Sequence, residues 1–121
     1  MSHFNKNIRV YVIGELDSAS SLLSEGKPDA AFRHLENAHI LGQESTCFHV
    51  LVHLHMAGWA IRQRDGREFF GQMLRIVGAA ALTAIGHVPI GNTGGSNISP
   101  FKSLPLSDEH KHIISRAKIE S

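Results

Sequence analysis

The sequence predicts an all-α fold: four main helices in antiparallel, tetratricopeptide-like hairpins, with an irregular Gly/Pro-rich segment and a short C-terminal helix. Three observations lead to this prediction. Apolar residues recur at steps of three and four along the first two-thirds of the chain. Short breaks separate these stretches, and short connections make successive helices antiparallel neighbours. No segment alternates apolar and polar residues with the period of a β-strand.

The first two helices are predicted over residues 6–25 and 29–41. Gly26 suits the left-handed conformation that ends many helices, and Pro28 suits the first turn of the next one. Gly42 is expected to end the second helix. Starting at Gly26, a glycine, an alanine, a large residue and a second alanine follow one another at fixed intervals. This spacing is typical of the second half of a tetratricopeptide unit.

The third helix is predicted over residues 45–64, with Ser45 as its N-cap, and the fourth over residues 67–85, after the break at Asp65 and Gly66. A polar stripe on the fourth helix comprises Glu68, Gln72, Arg75 and Thr83, and apolar residues lie around its other side: Phe69, Phe70, Met73, Leu74, Ile76, Val77 and Ile85.

The domain division follows from a change of character after residue 86. Residues 1–106 are expected to form one helical domain that includes the irregular segment 87–106, whose large apolar side chains favour packing on the bundle. Residues 107–121 are expected to form a short polar helix or tail, capped by Ser107.

Composition excludes several classes of protein. The chain has 121 residues and a formal net charge of +1, so it carries no basic signal for nucleic acid or for anionic membrane. A single cysteine cannot form an internal disulfide, and no signal peptide or membrane-spanning run is visible. We therefore expect a cytoplasmic protein with no nucleic-acid or membrane partner, and a protein partner or homo-oligomer stays open.

Nine histidines stand out, and five of them lie between His34 and His55. Helical spacing places Glu36 and His39 one turn apart on the second helix, and makes His49 and His53 an i,i+4 pair on the third. If the two helices are antiparallel, these four residues face one another. Glu-x-x-His steps and i,i+4 histidine pairs are both typical of metal sites on helices.

The predicted site therefore holds one divalent transition-metal ion, with Zn²⁺ first and Fe²⁺, Cu²⁺ or Ni²⁺ as alternatives. Its proposed ligands are Glu36, His39, His49 and His53. Gln43 and Thr46 are expected to orient a ligand, and Met56 adds a soft ligand only for Cu(I). The helical wheel places His34 and His55 away from the seam between the two helices.

Two other functions stay open. In the first, the histidines are structural, and the chain is a helical-hairpin interaction module with an exposed apolar patch around Trp59 and Phe69. In the second, the chain is a metal-dependent hydrolase in which Glu36 serves as a general base. The sequence identifies no catalytic residue, so a binding protein is favoured over an enzyme.

The glycine-rich loop from Gly91 to Asn97 allows three interpretations. Its backbone N–H groups can bind an anion, or its tight turns can cap the bundle, which we favour. In the third, it folds over the histidine seam and lends Asn92 or Asn97 to it. The loop residues predicted to bind an anion or to cap the bundle are Asn92, Thr93, Gly94, Gly95 and Asn97.

Two blocks of the sequence resemble a known family. The string AFRHLENAHILGQESTCFHVLVHLHM, residues 31–56, and the string GNTGGSNISP, residues 91–100, are similar to the pattern of the bacterial family called domain of unknown function 3703. The resemblance extends from about residue 8 to residue 106. It implies a small cytoplasmic protein and no established activity. The family pattern includes His34, so the resemblance adds His34 as a possible further site residue.

Overall fold

The computed structural model describes residues 2–84, 94–96 and 103–119, and within these residues all regular structure is helical. The five helices are α1 (His3–Ser24), α2 (Pro28–Gly42), α3 (Thr46–Gln63), α4 (Gly66–Ala84) and α5 (Asp108–Ile119). α1 packs mainly against α2, α3 packs mainly against α4, and the α2–α3 contact joins the two pairs. α5 lies against α1 and α2. In the described part of the chain, no helix combines the length and the apolar character needed to cross a membrane.

The hydrophobic core lies between α1, α2 and α3, and one side of α5 completes it. Each helix contributes buried residues at the three- and four-residue spacing that puts them on one face. The buried core residues are Ile8, Val12, Leu16, Ala19, Ala31, Leu35, Ala38, Leu41, Phe48, Val52, Met56, Ile114 and Ala117. Burying a large apolar side chain of this kind stabilises the fold by about 1.5–3 kcal/mol. This core holds α2 and α3 at a fixed separation.

Local signals set the helix ends close to where the sequence predicts them. The Ser2 hydroxyl accepts the N–H of Asn5 at 3.1 Å, so α1 begins three residues before the prediction. Gly26 has φ +75° and ends α1 as predicted. The Ser107 hydroxyl accepts the N–H of His110 at 3.1 Å, which confirms the cap of the last helix.

Gly42 is the last residue of α2, as predicted, and it allows close packing there. Its backbone is not left-handed, and the next residue, Gln43, keeps a right-handed helical conformation. A Cβ at Gly42 would lie 3.0 Å from Phe48 Cβ and 3.2 Å from Val12 Cγ2. The glycine therefore lets α1 and α3 approach the end of α2 closely.

α4 buries its polar stripe and exposes much of its apolar side. Gln72 is fully buried and Glu68 is nearly so, whereas Phe70, Leu74 and Val77 are 70%, 77% and 72% exposed. The side chain of Thr83 and all of Ile85, which the sequence analysis also assigned to this helix, lie outside the described residues. The buried side of α4 thus includes two polar residues, and one of them, Gln72, bonds to His53.

Candidate metal centre

A three-residue connection brings the end of α2 to the start of α3. The N–H of Ser45 bonds to the Gly42 carbonyl at 2.9 Å, and the Ser45 hydroxyl accepts the N–H of Phe48 at 3.4 Å. This short turn places His39, in the last turn of α2, beside His49, in the first turn of α3. His53 follows one turn later on the same face of α3, so all three rings point into one seam.

The rings of His39, His49 and His53 form a buried cluster, called the histidine trio below. His39 Nε2 lies 3.0 Å from His49 Nε2 and 3.1 Å from His53 Nε2. The three possible ligand atoms all lie within 4.8 Å of one another, and each side chain is at least 93% buried. In the described part of the chain, no other group of three or more potential metal ligands lies within this distance.

The spacing of the trio suits a cation better than hydrogen bonds alone. A neutral imidazole carries one ring hydrogen, so one hydrogen on His39 Nε2 can point at only one of its two neighbours. A Zn²⁺ ion with Zn–N bonds of about 2.1 Å in tetrahedral geometry separates its ligand nitrogens by about 3.4 Å. The two contacts on His39 Nε2 are a few tenths of an ångström shorter, which a small ring movement would correct.

The rings of His49 and His53 are held in the neutral form that a metal requires. Burial, and secondarily the neighbouring His53, lowers the pKa of His49 from 6.5 to about 3. Burial also lowers the pKa of His53 to about 4, although its hydrogen bond to Gln72 opposes the shift; Arg75 lowers it further and Glu68 raises it. At pH 7, protons therefore do not compete for these two nitrogens.

One polar residue of α4, Gln72, bonds to a ring of the trio, and a second, Glu68, bonds to Gln72. His53 Nδ1 lies 2.5 Å from Gln72 Oε1, and the Gln72 amide donates to Glu68 Oε2 at 2.6 Å. The same amide donates to the Gly94 carbonyl at 3.0 Å. Because both of these partners are acceptors, the Gln72 NH₂ group faces them and its oxygen faces His53. The His53 Nδ1 atom therefore carries the ring hydrogen, and its Nε2 lone pair points toward the other two rings.

The short described segment of the glycine-rich loop lies over the trio. A Cβ placed on Gly94 would lie 2.5 Å from His39 Cδ2, and the Ser96 N–H donates to Glu68 Oε2 at 3.0 Å. Within this loop, Gly94 and Gly95 are buried. Asn92, Thr93 and Asn97 lie outside the described residues, so an anion site or a contribution from either asparagine stays a prediction.

Replacement of Gly94 should be costly because of this contact. Gly94 has φ +85°, and Gly26, with φ +75° and no atom within 4 Å of the position that a Cβ would take, provides a matched control. We expect Gly26→Ala to lose about 1 kcal/mol through left-handed strain alone, and Gly94→Ala to lose at least about 2 kcal/mol because the methyl group also displaces the His39 ring. Urea denaturation of both variants measures the difference, and equal losses would contradict the described packing on His39.

The remaining predicted site residues have different surroundings. Glu36 is half-buried and is not in the close group; its role as a fourth ligand stays a prediction. His34 Nδ1 lies 2.6 Å from Glu15 Oε2 on α1, so this ring interacts away from the trio. The other three positions are a buried Gln43, an exposed Thr46 and a Met56 that belongs to the hydrophobic core.

The sequence analysis did not assign two residues to the site: Gln72, which bonds to His53, and Glu68, which bonds to Gln72. Their i,i+4 spacing on an otherwise apolar helix is a signal, because two polar residues on one stripe need a polar partner wherever that stripe is buried. The sequence does not show which side of α4 faces α3. The orientation of α4 decides whether these polar residues are exposed to solvent or lie against the histidines.

Fold and site together define a class: small all-helical proteins with a buried histidine cluster between two consecutive helices. Residues 6–114 match the family described as Protein of unknown function (DUF3703), and the chain belongs to that family. The match extends into α5, beyond the end at residue 106 that we inferred from sequence. No curated protein and no solved structure matches the chain.

Proposed function

We propose that this protein binds one divalent transition-metal ion through the Nε2 atoms of His39, His49 and His53. The observation that carries the proposal is the convergence of three buried imidazoles on one point, with two contacts of 3.0 and 3.1 Å. Imidazole nitrogen suits zinc, copper, iron and nickel. Zn²⁺ is our first choice, because three histidines with one further ligand form a common tetrahedral zinc site.

The fourth ligand determines what kind of metal protein this is. Glu36 lies one helical turn before His39, and we propose that its carboxylate completes the coordination. Four protein ligands close a zinc site, and closed sites are typical of structural or storage functions rather than of catalysis. The proposal is therefore a cytoplasmic metal-binding protein that is not an enzyme.

Metal analysis of the purified protein tests this function. We expect untagged protein, prepared without chelator, to contain close to one metal ion per chain by elemental mass spectrometry. The variant His49→Ala/His53→Ala should contain almost none, because it removes two of the three histidine ligands. His55→Ala is the matched control, since His55 lies on the same helix but is exposed. A wild-type protein that holds no metal and takes up no Zn²⁺, Cu²⁺, Ni²⁺ or anaerobic Fe²⁺ would overturn the proposal.

One observation favours a second candidate function, the interaction module. Phe70, Leu74 and Val77 lie at i, i+4 and i+7 on α4 and are largely exposed, which is typical of a helix face that binds another protein. The patch predicted around Trp59 and Phe69 is not equivalent to this stripe, because both side chains are half-buried and Trp59 packs on Phe32 at 4.5 Å between ring centroids. In this candidate the helices form tetratricopeptide-like antiparallel hairpins and the histidines are structural.

A further inference from the structure

The partners of His53 on α4 form a continuous hydrogen-bonded series. It runs from the Ser96 N–H to the Glu68 carboxylate, from that carboxylate to the Gln72 amide, and from the Gln72 oxygen to the His53 ring. Gln72 is fully buried and Glu68 is 8% exposed. A buried carboxylate and a buried amide are expensive to desolvate, so their position behind one imidazole calls for a reason beyond packing.

We propose that Gln72 and Glu68 are the positioning residues of the metal site, holding His53 with its Nε2 lone pair directed at the ion. This inference rests on the proposed function. Metal-bound histidines commonly donate their other ring N–H to an acceptor, which fixes the tautomer and makes the ligating nitrogen more basic. Here Gln72 is that acceptor, and the charge of Glu68, bonded to the Gln72 amide at 2.6 Å, polarises it.

The geometry also explains why an amide stands between the carboxylate and the histidine. The Gln72 NH₂ group has two hydrogens, and one binds Glu68 while the other binds the Gly94 carbonyl. With both hydrogens engaged, the amide cannot flip without losing two bonds, and flipping would turn N–H groups toward His53. The Gln72 oxygen is therefore held toward His53 Nδ1, and the ring is held in one tautomer before any metal arrives.

Zinc affinity, measured by competition with a chromophoric chelator, tests the inference. We expect Gln72→Met, which keeps the length of the side chain but not its acceptor, to bind Zn²⁺ about 10- to 100-fold more weakly than wild type. Gln63→Met makes the same chemical change at an exposed position of α3 and should leave the affinity unchanged. A Gln72→Met protein with wild-type affinity would overturn the inference.

An exchange of the two side chains separates positioning from mere support of the fold. The variant Glu68→Gln/Gln72→Glu keeps one carboxylate and one amide, and the new carboxylate at position 72 can still accept the His53 Nδ1 hydrogen, although it loses the bond to the Gly94 carbonyl. We expect its Zn²⁺ affinity to be equal to or tighter than that of wild type. An affinity as weak as that of Gln72→Met, or at least 10-fold below wild type if Gln72→Met does not fold, would overturn the inference.

The tautomer of the His53 ring can be measured in metal-free protein. In metal-free wild-type protein, the ¹⁵N chemical shifts of the His53 ring should show a hydrogen on Nδ1 and none on Nε2, whereas Gln72→Met should show exchange between the two forms. A hydrogen on Nε2 in the wild type would refute the positioning role whether or not the protein binds zinc. A wild type with the expected tautomer and no zinc uptake would instead refute the proposed function alone.

Discussion

If the protein binds the proposed ion, removal of that ion should lower its melting temperature by about 15 °C. A ligand that binds the folded state at about 1,000 times its dissociation constant adds about 4 kcal/mol to the free energy of unfolding. For a domain of 121 residues, each kcal/mol corresponds to about 4 °C. Without the ion, three buried imidazoles face one another, and one ring hydrogen on His39 Nε2 can point at only one of its two neighbours, which adds to the loss. Differential scanning calorimetry with and without chelator measures the shift.

Two variants make this measurement specific. His49→Ala/His53→Ala should melt at the same temperature with and without chelator, because its site no longer holds an ion. His55→Ala should show the full wild-type shift, since that ring lies outside the trio. If wild-type protein saturated with Zn²⁺ and metal-free protein melt together, the histidines are structural and the interaction module becomes the better account of the function.

The metal-free protein should lose about 3–4 kcal/mol of unfolding free energy between pH 7 and pH 5. In the unfolded chain the rings of His49 and His53 titrate near 6.5, whereas in the fold their pKa values are about 3 and about 4. Well above pH 6.5 both states keep these two rings neutral, so their contribution to stability does not change with pH. Below pH 6.5, the unfolded state takes up protons that the folded state does not, and each ring costs up to about 1.4 kcal/mol per pH unit.

Urea denaturation at a series of pH values measures this slope. The comparison variant is His49→Gln/His53→Gln, which keeps polar side chains at both positions but cannot titrate there. Its unfolding free energy should fall less steeply over the same range, even though it starts from a lower value. Parallel curves for the two proteins would mean that these rings are protonated in the fold as readily as in the unfolded chain, and that the site is not as buried as described.

Helix positions and the histidine cluster were largely predictable, because both depend on local spacing. The apolar periodicity and the caps at Ser45 and Ser107 gave helix bounds within a few residues. The cluster followed from an i,i+4 pair on α3 and a short turn that folds α2 back against it, so His39 met His49 and His53 as expected.

The orientation of α4 was not predictable from its own sequence. Its apolar side is larger than its polar side, and hydrophobic burial alone favours an inward Leu74 over an inward Gln72. Two imidazoles on the facing helix, those of His49 and His53, favour the opposite choice, because buried ring nitrogens need polar partners. Gln72, itself bonded to Glu68, supplies such a partner to His53. Which side of α4 is buried depends on the residues of the helix it packs against. The periodicity of α4 alone carries no information about those residues.

The order of the proposed ligands along the chain has a consequence for how the protein folds. His39 and His53 are separated by only 14 positions, so the loop that a metal must close is short and its entropic cost is low. Contacts of low sequence separation form early in folding. An ion can therefore bridge α2 and α3 before α4 packs against them, and during synthesis all three histidines leave the ribosome ahead of Gln72 and Glu68. Metal supply would then act on the nascent chain and set the yield of folded protein as well as the stability of the finished one.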